Sequence, residues 1–115
     1  MKTLINSSPI TLRWLSKIKS EIDKKIPQCE YEESTYWASF KSPKTNRKIA
    51  YLHPSKTQIR LFTRLPPSHD THLQKAPSSG SWEERYPSIF FIRAETEIEK
   101  AVDLIVRSYE YDLRQ

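Results

Sequence analysis

The chain has 115 residues, 37% of them hydrophobic, 29% charged and 11% aromatic, with 19 Lys plus Arg against 14 Asp plus Glu. That length suits a single domain over residues 1–115 and excludes a second core, while the aromatic and β-branched content argues against wholesale disorder despite a mean hydropathy of -0.72. The lone Cys29 cannot close an intrachain disulfide, no signal-type apolar run follows Met1, and the longest apolar run, Ile89 to Ile92, is far short of the ~20 residues of a spanning helix. The expectation is a soluble, cytoplasmic protein with no membrane partner.

In residues 9 to 27, Leu12, Leu15, Ile18, Ile22 and Ile26 recur at steps of three and four, one stripe of a helix with Lys17, Lys19, Lys24 and Lys25 outside it. Ser8 followed by Pro9 suits the cap and first turn, and Pro27 is a stop signal. The period then changes to that of strands over residues 35–41, 47–53 and 57–65, joined by short turn-forming segments at 42–46 and 54–56. Neighbouring antiparallel pairing in a meander follows.

Residues 66 to 87 carry Pro66, Pro67, Pro77 and Pro87 and the sole glycine, Gly80, and exceed the usual connection of about 4–6 residues. A fourth strand over 88–93 leads to a final helix with Ile98, Ala101, Val102, Ile105, Tyr109 and Leu113 on one face and Thr96 with Glu99 as a capping box. The fold class expected is α+β: an antiparallel sheet of about four or more strands with the N- and C-terminal helices packed on one face.

Charge is unevenly distributed. Residues 1–35 are net +1, residues 36–69 net +7 and residues 70–115 net -3. The middle segment holds Lys41, Lys44, Arg47, Lys48, Lys56, Arg60 and Arg64 without a carboxylate, a field that suits a polyanion as readily as it suits a solvated sheet edge.

Two helices on one side leave the other side of the sheet open. In the third strand Ile59, Leu61 and Leu65 alternate with Arg60, Phe62 and Arg64; the matching outward sets on its neighbours are Lys48, Ala50 and Leu52, and Trp37, Ser39 and Lys41, unless a bulge reverses them. Bases stacked on Trp37 or Phe62, with phosphates on Lys41, Lys48, Arg60 and Arg64, follow the logic of sequence-tolerant binding to single strands. Packing in a core or a dimer is the competing use of Trp37 and Phe62.

Catalytic patterns are missing. His69 and His72 lack a third ligand at a metal-binding spacing, His53 beside Pro54 reads as a turn or edge residue, and the pairs Glu32-Glu33 and Glu83-Glu84 read as exposed charge. One glycine cannot build a phosphate loop, and no Ser or Cys sits in a nucleophile motif. No catalytic residue, metal or cofactor is expected, and the protein is read as a non-enzyme.

Phe40-Lys41, Arg47 through Pro54, Ile59-Arg60-Leu61, Gly80-Ser81-Trp82, Tyr86-Pro87 and Ile105 through Tyr109 occur in an order and spacing, over residues 36 to 111, that resembles a family of small domains labelled predicted transport proteins. That family is sometimes joined to nuclease-like domains and is similar to the MmcQ/YjbR proteins. The resemblance implies a CyaY-like fold, an antiparallel sheet backed by two helices, and accompanies proposals of DNA binding. Frataxins share that fold type and hold iron on an acidic first helix, whereas the first helix here has only Glu21 and Asp23 among lysines.

The reading expected is a small binding module for nucleic acid through a basic, aromatic open sheet face built on Trp37, Lys41, Lys48, Arg60, Phe62 and Arg64. The alternative is a protein-interaction or homodimerisation domain using the same face. A ligand cleft under the long loop, with Trp82 and Tyr86, is a third.

Overall fold

The first helix, α1 (Pro9–Lys25), starts where expected: the Ser8 side chain accepts the Thr11 N–H at 3.2 Å and the Thr11 hydroxyl accepts the Ser8 N–H at 2.9 Å. Each residue thus satisfies a donor that the first turn leaves open. The Thr11 hydroxyl also donates to the Ser55 carbonyl at 2.8 Å, tying the helix start to a sheet turn. The buried face is Thr11, Trp14, Leu15, Ile18 and Ile22, while Leu12 is 42% exposed. This corrects the expected stripe: Leu12 lies a 100° step from Thr11, and Trp14 fills the arc instead. The computed structural model describes residues 3–77 and 85–115.

The C-terminal helix, α2 (Ile98–Leu113), buries Ile98, Ala101, Val102, Leu104, Ile105, Ser108 and Asp112, leaving Leu113 exposed. Its expected Thr96–Glu99 capping box does not form. A 3-10 turn over Glu95–Glu97 precedes the helix, and Glu97 reaches back to accept the Arg93 N–H at 2.7 Å. The two helices pack on each other and on the sheet.

The sheet has six antiparallel strands: β1 (Glu30–Glu33), β2 (Ala38–Lys41), β3 (Lys48–Pro54), β4 (Ile59–Thr63), β5 (Gln74–Lys75) and β6 (Ser88–Ile92), in the spatial order β1-β2-β3-β4-β6-β5. The expected meander is its centre. The two edge strands were not expected, because Glu30-Tyr31-Glu32-Glu33 has no apolar alternation and β5 is two residues long. In the β2–β3 turn Asn46 takes φ of 62°, the left-handed conformation for which asparagine substitutes where glycine is not used.

Register decides which side chains reach the open face. Phe40 pairs with Ala50 but Lys41 pairs with Lys48, so β3 carries one extra residue and bulges there. Ile49 and Ala50 both enter the core under the helices, and the alternation resumes with Leu52 inward. The outward set of Lys48, Ala50 and Leu52 is therefore corrected: Ala50 and Leu52 are fully buried among helix-side residues, and Tyr51 and His53 replace them outside. The sets Trp37, Ser39, Lys41 and Arg60, Phe62 keep their expected side, as the pairings of Ser39 with Tyr51 and Tyr51 with Phe62 require.

The main core lies between sheet and helices and is built on Leu15, Ile18, Ile22, Phe40, Leu61 and Ile105. A smaller apolar cluster, Phe62, Ala76, Tyr86 and Ile89 with Tyr51 and Phe91 against it, occupies part of the opposite face. The chain after β4 is anchored at Asp70, whose carboxylate accepts from Lys100 at 2.6 Å and Arg107 at 2.7 Å, and at Leu73 in the main core. The Lys100 ammonium, followed by Arg107 and His72, holds that carboxyl well below the usual range. Cys29 is buried, its thiol pushed up to about 11 by burial and then by Asp23, the condition of an unreactive cysteine.

Candidate nucleic-acid interface

Cross-strand register arranges the open face in three rows, each running perpendicular to the strands. The row next to the β2–β3 turn is basic and internally neutralised. Lys48 donates to Glu32 at 3.1 Å and to the Ser39 hydroxyl at 2.9 Å, and Lys41 lies 3.5 Å from Glu30. Arg64 reaches the fully buried Asp112 at 3.2 Å, a carboxylate that Arg47 also contacts at 2.8 Å and the Thr45 hydroxyl donates to. The Arg64 guanidinium stands 5.5 Å from the Tyr86 ring centre. Tyr86 donates its hydroxyl to the Lys48 carbonyl at 3.0 Å, and burial pushes that phenol up to about 12.

The middle row, Ser39, Tyr51, Phe62 and Ile89, is mostly covered. Phe62 is 6% exposed and presents no ring face to a ligand.

The third row, at the β3–β4 turn, is the accessible one. Trp37, 38% exposed just before β2, lies parallel to the His53 ring at 5.6 Å and edge-on to Tyr51 at 6.1 Å. His53 pairs in register with Arg60, and Arg60 with Phe91. Arg60 is exposed and, among the described residues, no carboxylate pairs with it. Beyond Phe91 the Arg93 guanidinium lies 4.5 Å from that ring's centre, and its Nε donates to Gln58 at 2.9 Å.

His53 is the backing of this row. It is pressed between Trp37 and Phe62, whose ring centre is 5.1 Å away, and its Nε2 has no hydrogen-bond partner among the described residues. Burial first, and the Arg60 charge second, lower its pKa to about 4, so the imidazole is neutral at pH 7. Positive charge in the row therefore resides on the two guanidiniums.

Of the residues expected from sequence, Trp37 and Arg60 come together on this accessible row. Lys41, Lys48 and Arg64 share the open side but are held by Glu30, Glu32 and Asp112, and Phe62 is packed beneath. Of the proposed cleft pair, Tyr86 is buried and Trp82 lies outside the described residues. Sequence reasoning missed the roles of His53, Phe91 and Arg93. The last two were within reach, since Ile89, Phe91 and Arg93 alternate with the core residues Phe90 and Ile92.

Among the described residues no group of three His, Cys, Asp or Glu side chains is placed to hold a metal ion, and no helix is long and apolar enough to cross a membrane. No family model, curated protein or solved structure matches the chain.

Proposed function

We propose that the domain is a non-enzymatic binding module for nucleic acid, with the row of Trp37, His53, Arg60, Phe91 and Arg93 as its contact surface. The observation that supports this reading most is Arg60: an exposed guanidinium without a carboxylate partner among the described residues, set between aromatic rings on an open sheet. In the row next to the β2–β3 turn, Lys41, Lys48 and Arg64 are paired within the molecule, so an incoming phosphate would have to displace a carboxylate there. At Arg60 it meets no such competitor. We also infer that the likeness to MmcQ/YjbR-like proteins is one of fold, supported by the order of helix, antiparallel sheet and helix.

The test is fluorescence anisotropy of a labelled oligonucleotide across a salt series. With two cations in the row, Arg60 and Arg93, that no carboxylate pairs with among the described residues, log affinity falls with log salt at a slope of about -1.4 for a single strand, and Arg60→Ala halves that slope. A slope unchanged in Arg60→Ala contradicts the assignment.

A second reading, docking of a protein or of a second copy, is favoured by Ile5 and Tyr36, which are 43% and 50% exposed near Trp37. The Ile5 N–H donates to the Thr35 carbonyl at 2.9 Å, which brings the two residues to one corner of the sheet. A concentration-dependent dimer in sedimentation, weakened by Tyr36→Ala and unaffected by oligonucleotide, is its signature.

A further inference from the structure

We infer that the strand this row accepts is single-stranded, held by the faces of its bases on two platforms with a phosphate on Arg60 between them. The inference rests on the nucleic-acid reading and narrows it to one class of ligand.

The first platform is Trp37. One face of its indole is fixed against His53 by parallel stacking, which orients the ring, and its 38% exposure leaves surface for a flat partner. The second is the Arg93 guanidinium, supported from below by the Phe91 ring at 4.5 Å and fixed by its bond to Gln58. A guanidinium held in plane stacks on a base as an aromatic ring does. Neither platform needs ordering when a base arrives, which limits the entropy lost on binding.

Spacing sets the footprint. Trp37, His53, Arg60 and Phe91 occupy neighbouring strands, so three steps of about 4.8 Å separate the platforms, about 14 Å in all. At the 3.4 Å rise of a stacked strand this distance is about four steps, or about five nucleotides with both end bases counted, and about four or fewer in a drawn-out strand. Arg60, between His53 and Phe91 in register, meets the backbone inside that span.

A duplex fits poorly for a chemical reason. Its base faces are buried in its own stack, and only edges and phosphates are offered to a protein. Two guanidiniums without a carboxylate partner among the described residues are also few against the six to ten or so phosphate contacts of a duplex binder. His53 touches no base in this arrangement; it acts by positioning Trp37.

The experiment compares six labelled probes at low salt: an eight-nucleotide oligothymidylate, its uridylate counterpart, a duplex of the same length, an abasic phosphodiester of the same length, and four- and two-nucleotide oligothymidylates. Wild type, Trp37→Ala, Trp37→Phe and Arg60→Ala are each checked for a native far-UV spectrum. The expected result is binding of both eight-nucleotide single strands at least tenfold tighter than of the duplex or the abasic chain. Trp37→Ala lowers single-strand affinity about 5- to 100-fold, as loss of one stacked base predicts, and Trp37→Phe restores most of it. A four-nucleotide strand binds within about threefold of the eight-nucleotide one, and a dinucleotide much more weakly.

Equal affinity for the abasic chain, or an unchanged Trp37→Ala with a weakened Arg60→Ala, overturns stacking while leaving nucleic-acid binding intact. Tighter binding of the duplex overturns it likewise. Absence of binding to every probe removes the nucleic-acid reading itself.

Discussion

At His53, burial and the neighbouring Arg60 act in the same direction: both disfavour the imidazolium. An unfolded chain takes up this proton near pH 6.5, the folded one only near about 4. Between those values the unfolded state binds more protons, so the stability associated with the neutral ring is complete above pH 6.5 and declines as pH falls toward 4. Urea midpoints at pH 7 and pH 5 are therefore expected to differ more in wild type than in His53→Phe, which keeps a flat ring and removes the titration. The depressed carboxyl of Asp70 acts at lower pH, since its ordinary value is 3.8, and contributes little to that comparison. Equal falls in the two proteins contradict the assignment of His53 as a half-buried, neutral ring. Its role was hidden in the sequence because a histidine before a proline has the composition of a turn, and only the rings of Trp37 and Phe62 reveal it as packed.

Between elements, two features carry the architecture of the open face. Asp112 joins the last turn of α2 to the β2–β3 turn through Thr45 and Arg47 and to the end of β4 through Arg64. Replacing it by alanine leaves Arg64, only 18% exposed, without its counter-charge. Because Arg47 can regain water, the expected cost is about 2–3 kcal/mol in urea unfolding, toward the lower end for a broken buried pair. A loss below about 0.5 kcal/mol contradicts the buried hub. The second feature is the bulge in β3. Ala50→Asp places a charge among the helix-side residues and is expected to abolish cooperative folding at 25 °C, whereas an outward Ala50 would tolerate it within about 0.5 kcal/mol. Far-UV circular dichroism separates the two outcomes. Helix start, strand order and meander were legible because caps, period and turn residues are local signals. The bulge was not: one additional residue in Arg47 to Ala50 has no glycine to mark it, and it reverses the sides expected for everything that follows it in the strand. β1 was missed for a related reason, since an edge strand whose alternate residues are all glutamate or tyrosine shows no apolar period.

For the whole molecule, the charge count along the chain and the charge map of the fold differ in an instructive way. The segment 36–69 is net +7, yet three of its cations on the open side meet Glu30, Glu32 and Asp112, all from flanking segments. Antiparallel pairing brings β1 beside β2, and helix packing brings the end of α2 to the end of β4, so neutralisation is a consequence of topology that no linear sum contains. The proposed binding surface contracts from a broad basic face to one row, and shifts toward the β3–β4 turn. Arg60 survives that contraction because Glu30 and Glu32 of the edge strand pair with Lys41 and Lys48, and Trp37, uncharged, lies opposite Ser34 rather than a glutamate. The most direct test is a ¹H–¹⁵N NMR titration of the protein with an unlabelled single-stranded oligonucleotide. The largest shifts are expected at the Trp37 indole and at the amides of His53, Arg60, Phe91 and Arg93, with Lys19, Glu99 and Asp112 unmoved. Shifts concentrated between α1 and α2, or at Lys41, Lys48 and Arg64 with Trp37 and Arg60 silent, would contradict it.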